Sequence, residues 1–402
     1  MSPSPEVRVG ERIRFYRQGK QKTQVVVAGL AGITEDYLSQ IERGLKTPTI
    51  SLLQKFSRIL GVRTSELLGE STTEHDDVMH PIGSALQRSL MAYGDARGRV
   101  VDVPELRARV DDAWKIWQCS ANRYTEASAV VAELTADVQE TERALRFGDP
   151  AQRREAAKVA ADMYFFLRTF TKRIGRTDLS LLAADRGVMA AEAADDPVRI
   201  AAAKWNLGHI LLAQDEADAA EGVALTAMED LQRAAGEDNS DAIAMRGALA
   251  LVGVVAAVRK GDGWAARDRL REDAWPAARH VGDGNVMWTV FGPTNVGLHA
   301  VSVEMETGES AQGLRYADDI DASHMASLER QTTFALEVAR CYEQRRDDPG
   351  VLIHLMNAET TGPEDMRYNT LARDLAHGLV KRARPTYAGQ VQSFARRIGL
   401  MT

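Results

Sequence analysis

"TQVVVAGLAGITEDYLSQIERG", Thr23 to Gly44, is the stretch on which the reading of the chain turns. Thr23 and Thr34 are each placed to open a helix, a threonine hydroxyl being able to accept a bond from a backbone N–H of the first turn. Gly32 allows the positive φ of a tight turn between the two. Glu35 and Asp36 fall where the positive end of a helix dipole favours acids. Leu38 and Ile41 are spaced for one buried stripe, and Gly44 suits a left-handed cap at the end. With the small Ala28 where the rods must approach, the stretch predicts two short helices joined by a turn, a helix-turn-helix.

Outward from it, a first helix is expected over 7–17, with Val9, Ile13 and Tyr16 inward. Pro48 bars continuation past Gly44. Thr49 then caps a fourth helix that buries Leu52, Leu53, Phe56 and Leu60 and closes at Gly61, and 64–69 reads as a short fifth helix. The chain of 402 residues has a formal net charge of -7. Residues 1–70 nevertheless hold 11 Lys and Arg against 7 Asp and Glu, an excess of 4 that leaves -11 on the remainder. A basic head on an acidic body points to a polyanionic partner for the head alone.

The run "TQVVVAGLAGITEDYLSQIERGLKTPTISLLQKFSRILGVRTSELLG", 23–69, resembles the phage Cro/CI repressor type of regulator, also called the xenobiotic-response-element (XRE) family. One departure is "VVVAGLAG" in the second helix, whose β-branched residues and Gly29 lower helix propensity. The resemblance implies binding to double-stranded operator DNA with the third helix in the major groove. It implies Glu35, Asp36, Ser39 and Gln40 as base-facing residues, Gln40 suiting adenine and the acids cytosine. It implies Gln24, Thr34, Arg43, Lys46 and Thr47, with Lys20, Lys22 and Arg17 nearby, as phosphate contacts that make affinity salt-dependent. Arg8, Arg12 and Arg14 read as solvated surface.

Residues 1–70 are therefore expected to form the DNA-binding domain, 71–81 a polar acidic linker, and 82–402 a helical body, so the fold class is all-α. In the body, helical stretches alternate with short turns such as "DDP", "KGDG" and "TGES". "LGHILLAQDEADAAEGVALTAMEDL" places Leu207–Gly208, Ala220 and Ala227 at the small positions of a 34-residue helical pair. Ala339, Tyr342, Ala358 and Pro363 repeat those offsets, and 247–274 and 295–320 look like degenerate units. The body thus resembles a tetratricopeptide-like superhelix, with dimerisation and a concave effector site as its implied tasks. The register places Trp205, His209, Trp288, Phe291, Asn295, His299 and Arg340 on that face, suited to a small-molecule or peptide effector.

No phosphate-binding loop, dinucleotide fingerprint, zinc helix or nucleophile elbow is present, so the sequence supports no enzyme activity, cofactor or metal. Cys119 and Cys341 stand alone and read as buried thiols, although Arg340 is placed to lower the pKa of Cys341. The longest apolar run, 247–258, is short of the ~20 residues that span a bilayer. These features lead to the expectation of a cytoplasmic transcriptional regulator.

Overall fold

The computed structural model describes residues 9–20, 22–60, 62, 64, 67, 81–92, 98–236 and 238–401. Among the described residues there is no strand. The chain divides into two compact units, Met1–Met79 and His80–Thr402. The expected linker, apart from Pro81, lies outside the described residues.

The first unit contains α1 (Val9–Gly19), α2 (Gln24–Ala31), α3 (Glu35–Glu42) and α4 (Ile50–Leu60). Thr23 and Thr34 cap α2 and α3, each hydroxyl accepting from the backbone N–H three residues on. Gly32 has φ 73° and Gly44 φ 76°, so both turns use the left-handed region that glycine enters without strain. The weak helix formers of α2 are held at both ends. Thr23 takes the Val26 N–H, and at the far end Lys55 Nζ donates to the Ala31 carbonyl at 3.1 Å. Val27, Ala28 and Ala31 face a core of Ile13, Leu38, Ile41, Leu53 and Phe56, while Val25, Val26 and Leu30 remain exposed. Of the expected fifth helix only Thr64 and Leu67 are described, both helical. Arg12, expected on the surface, is buried. It lies on the inner face of α1, one position from Ile13. Arg8, Gly61 and Arg63 lie outside the described residues.

The second unit begins with α5 (Gly83–Leu90), α6 (Val103–Cys119), α7 (Arg123–Leu145), α8 (Pro150–Arg173) and α9 (Thr177–Ala194). Next come α10 (Pro197–Ala213), α11 (Ala217–Ala234), α12 (Ser240–Arg259) and α13 (Gly263–Arg269), the last running through a π-turn at Leu270–Ala274 into α14 (Trp275–Val281). The remainder is α15 (Pro293–Glu306), α16 (Ser310–Asp318), α17 (Leu328–Gln344), α18 (Asp348–Thr361), α19 (Pro363–Tyr368), α20 (Thr370–Arg382) and α21 (Pro385–Arg397). Successive helices pack on one another, α8 on α9, α10 on α11, α15 on α16 and α17 on α18.

Small residues set the crossings. Ala220, Ala227, Ala339 and Ala358 are buried, and a Cβ on Gly208 would lie 2.8 Å from Val252 Cγ1, so α10 approaches α12 through that gap. α12 is long and apolar enough by length and composition to cross a membrane, yet 72% of its apolar window is buried within this unit. Cys341 is buried as expected, but Cys119 is exposed at the C-terminal end of α6. Burial, then Glu337, pushes the Cys341 thiol up to about 11, overriding the effect expected of Arg340.

α1 meets α3 backbone to backbone at Gly10, where a Cβ would fall 1.8 Å from the Ile41 carbonyl oxygen. Gly10→Ala forces the two rods apart, an overpacking cost of about 1–3 kcal/mol or more. Calorimetry on the full chain should show the transition of the first unit lowered by roughly 5 °C or more. An unchanged transition would contradict the close crossing.

Candidate nucleic-acid interface and ligand cavity

In the first unit, α3 is pinned from below. Arg17 on α1 donates to Glu42 at the end of α3 through Nε (2.6 Å) and Nη2 (2.9 Å), and through Nη1 to the Lys22 carbonyl (2.9 Å). Gln24 Nε2, at the start of α2, donates to the same carboxylate at 2.7 Å. The bond to Glu42 lifts the Arg17 guanidinium above its usual range. Arg17, placed near phosphates by its sequence position, is thus turned inward. One N–H of the Gln24 side chain is engaged inside the unit, leaving its second N–H, its amide oxygen and backbone N–H groups of the first turn of α2 for other partners.

The opposite side of α3 faces solvent. Glu35 and Asp36 are exposed, and Ser39 and Gln40 half-buried. Gln40 Nε2 donates to Asp36 Oδ2 one turn back, at 2.7 Å. That bond uses one N–H and leaves the second N–H and the Oε1 atom. Thr34, Arg43, Lys46, Thr47 and Lys20 are exposed and Lys22 half-buried, Arg43 also bonding the Ser39 carbonyl at 3.3 Å. The neutral amide of Gln40 shares the exposed face with the acids Glu35 and Asp36, and exposed cations and hydroxyls stand on the segments before and after α3.

In the second unit, a cavity of about 320 Å³ opens between α6, α8, α10, α12 and the start of α17. Trp205, His209 and Trp288 line it, so three of the seven residues expected on a ligand face come together. Phe291, Asn295, His299 and Arg340 do not line it. Phe291 is buried against Gly247, where a Cβ would sit 2.0 Å from its ring. Asn295 is buried with Oδ1 lacking a partner, and Arg340 pairs with Glu306 and Glu337. His299 is buried near the cavity, where burial and the charge of Arg330 push its imidazole down to about 3. His209, with its ring edge-on to Trp205 at 4.4 Å, is held well below its ordinary value by burial and by Arg168 and Lys172. Both imidazoles are therefore neutral near pH 7.

The charged lining was not legible beforehand. Arg168, Lys172 and Arg173 come from α8, Arg259 from α12 and Arg330 from α17, against Glu329 and Glu337. Glu329 accepts from Arg173 Nε at 2.8 Å and from Trp117 Nε1 at 3.3 Å. Burial pushes the Arg168 guanidinium down to about 9, and burial with the neighbouring Arg168 and Arg173 pushes the Lys172 ammonium down to about 7.

One wall is strained. Met287, Trp288 and Val290 have φ of 48°, 57° and 52°, a region costly for side chains and most so for β-branched valine. Gln118 holds them there. Its Nε2 donates to the Trp288 carbonyl at 3.2 Å, and its Oε1 accepts from Asn285 Nδ2 at 2.7 Å. Trp288 stacks on Trp114 with centroids 4.7 Å apart.

Residues 13–67 match the family described as helix-turn-helix. Over 88 residues the chain is 40% identical to the HTH-type transcriptional regulator SinR of Bacillus licheniformis, covering 21% of this chain and 79% of that protein. It is 39% identical, with the same coverage, to SinR of Bacillus subtilis strain 168. The immunity repressor protein of Bacillus phage phi105 is 38% identical over 64 residues, 16% of this chain and 44% of the repressor. Two solved structures are similar in outline. A mutant of PrgX is 9% identical with a TM-score of 0.31, covering 84% of this chain and 96% of that one. The apo form of the competence regulator ComR from Streptococcus vestibularis is 12% identical with a TM-score of 0.26, covering 98% of each.

Gln118→Leu removes the amide that holds the strained wall. The unpaired Trp288 carbonyl and Asn285 amide cost about 1–3 kcal/mol, so the melting temperature should fall. The near-ultraviolet circular dichroism of the Trp114–Trp288 stack should weaken with it; a retained spectrum would mean that the wall stands without Gln118.

Proposed function

The chain belongs to the helix-turn-helix transcriptional regulators, and from that premise we propose how its residues are used. α3 enters the major groove of operator DNA, with Gln40 as the principal reader. Asp36 orients the Gln40 amide, so that its free N–H and Oε1 meet the N7 and N6 edge of adenine. Glu35 and Ser39 face neighbouring bases. Thr34, Arg43, Lys46, Thr47, Lys20 and Lys22 contact phosphates, together with Gln24 through its second amide N–H or its backbone N–H. The observation that supports this most directly is the Asp36–Gln40 bond on the exposed face of a helix whose other end is fixed by Arg17.

The second unit dimerises the chain and senses an effector. A two-fold dimer sets its reading helices about 34 Å apart, one turn of B-DNA. The cavity lined by Trp205, His209 and Trp288 is the effector site, with His299 behind it. Phe291, Asn295 and Arg340 support it through the packing of α12, α15 and α17. The protein acts in the cytoplasm as a regulator, with DNA and effector as its ligands.

Operator binding across a set of sequence variants tests the DNA assignment. Gln40→Ala should flatten discrimination at one base pair, by about 1–3 kcal/mol. Arg43→Ala and Lys46→Ala should weaken every sequence alike and reduce the salt slope by about 1 each. Equal weakening of all sites by Gln40→Ala would remove Gln40 as a reader.

A further inference from the structure

We propose that the cavity of the second unit binds a small organic anion carrying two or more negative charges, held by Arg168, Lys172 and Arg330. The proposal rests on the effector reading above and supplies the chemistry of the effector.

The argument begins from which cations have partners. Across this unit most buried and half-buried guanidinium groups find carboxylates, although Arg246 Nε, away from the cavity, is buried without a partner. Arg107 and Arg199 share Asp162, Arg123 takes Asp365, Arg173 takes Glu329 and Arg267 takes Glu304. Arg168, Lys172 and Arg330 line the same cavity, and among the described residues none has a carboxylate at ion-pair distance. Arg168 is only 5% exposed. Its Nε donates to Asn206 Oδ1 at 2.6 Å, but its Nη2 is buried without any partner. The Lys172 ammonium reaches only the His209 carbonyl, at 3.4 Å. Taking such charges out of water without an anion is costly.

Placement makes these three a set. Arg168 and Lys172 are one turn apart on the same face of α8. Arg330 comes from the first turn of α17, far along the chain. Asn206 aims the Arg168 fork, whose guanidinium lies over the Trp205 ring at 5.2 Å. Planar forks match carboxylate and phosphate oxygens, and an ammonium adds a point charge. The lining carries five cations against two acids, an excess of three, which a ligand of charge two or more brings near neutrality. At about 320 Å³ the space holds roughly ten waters' worth of volume, the size of a phosphate ester or a polycarboxylate. Trp205 and Trp288 offer apolar faces to its organic part. A bound anion would tie α8 to α17 across the strained Trp288–Val290 wall.

Proton uptake gives the site a signature. The groups facing Lys172 are Arg168 and Arg173 on its own helix, His209 on α10, Arg259 on α12, and Glu329, Arg330 and Glu337 on α17. Of these the His209 imidazole is already neutral near pH 7, and Arg168, pushed down to about 9 by burial, loses its proton only toward pH 9, which weakens anion binding in the same direction. Lys172, at about 7 without a ligand, regains its proton when an anion binds. Affinity should therefore fall as pH rises from 7 to 9, by up to about tenfold per unit.

The test is thermal denaturation of the full chain with pyrophosphate or citrate, against sodium chloride at matched ionic strength. The wild type should gain roughly 5 °C near saturation with one of the two. Arg330→Met and Lys172→Met should each melt higher than the wild type in chloride alone, because an uncompensated charge is gone, and should lose the anion response. No response to either anion, together with variants that melt lower in chloride, would overturn the anion site and leave effector sensing to other chemistry. Operator binding in the same anion separates the two readings. A thermal response abolished by Arg330→Met, with unchanged operator affinity, upholds the anion site and sinks its role as effector.

Discussion

The first unit depends on one buried fork, Arg17 to Glu42. A carboxylate at the C-terminal end of α3 stands against the negative end of the helix dipole and is removed from water, both unfavourable. Arg17 offsets both with two charge-assisted bonds, and Gln24 adds a third. Because the three residues come from α1, α2 and α3, the carboxylate fixes the angles among all three helices. Losing one partner of such a pair costs about 3–5 kcal/mol, since the other charge is left stranded. The exposed face of α3 is useful for reading only while that angle holds, so the Arg17–Glu42 fork supports a function in which it takes no direct part.

The second unit solves a different problem. Its helices carry alanine and glycine where they cross, which brings backbones close but leaves little side-chain volume at the centre of each pair. Larger residues fill the spaces between pairs. Trp114 and Trp117 pack edge-on against Phe166 and Phe170 at ring separations between 5.5 and 6.2 Å, and the two phenylalanines stack at 6.0 Å, beside the cavity. Long cationic side chains finish the lining, their stems packed and their heads converging. The strained Met287–Val290 segment is held by Gln118 and Asn285, so the wall is over-determined by its neighbours in the way that preserves an unfavourable backbone.

Local rules made the first unit legible. Thr23, Thr34, Gly32 and Gly44 act within a few residues of themselves, and the chain obeys them at each place. The helix pairs of the second unit were legible through Gly208, Ala220, Ala339 and Ala358 for the same reason. What the sequence missed were partners from elsewhere, although Trp205, His209 and Trp288 do come together. Arg12 and Arg17 look like surface charges until α3 is laid beside α1. Arg340 looks free until Glu337, one turn back, and Glu306, from another helix, close on it. Phe291 looks available until Gly247 opens a socket for its ring. Cys119 looks like core until α6 ends at the surface.

The same limit explains why the charged cavity was invisible in the sequence. Arg168 and Arg330 are separated by about half of the body, and nothing within either segment marks them out. Only the pairing of the other cations does so. A lone unpaired arginine in a protein this rich in Arg and Asp would mean little. Two arginines and a lysine that share one cavity, in a unit that answers most of its buried guanidinium groups with acids, are a different matter. The chain has carboxylates enough, at a net charge of -7, to have placed one there. Holding three like charges together without it lowers the stability of the unliganded protein, a cost characteristic of a site built for something that arrives later. The head and the body thus make opposite use of arginine. In the head, Arg17 is fully answered and serves geometry; in the body, Arg168 and Arg330 are unanswered, and their geometry awaits a charge.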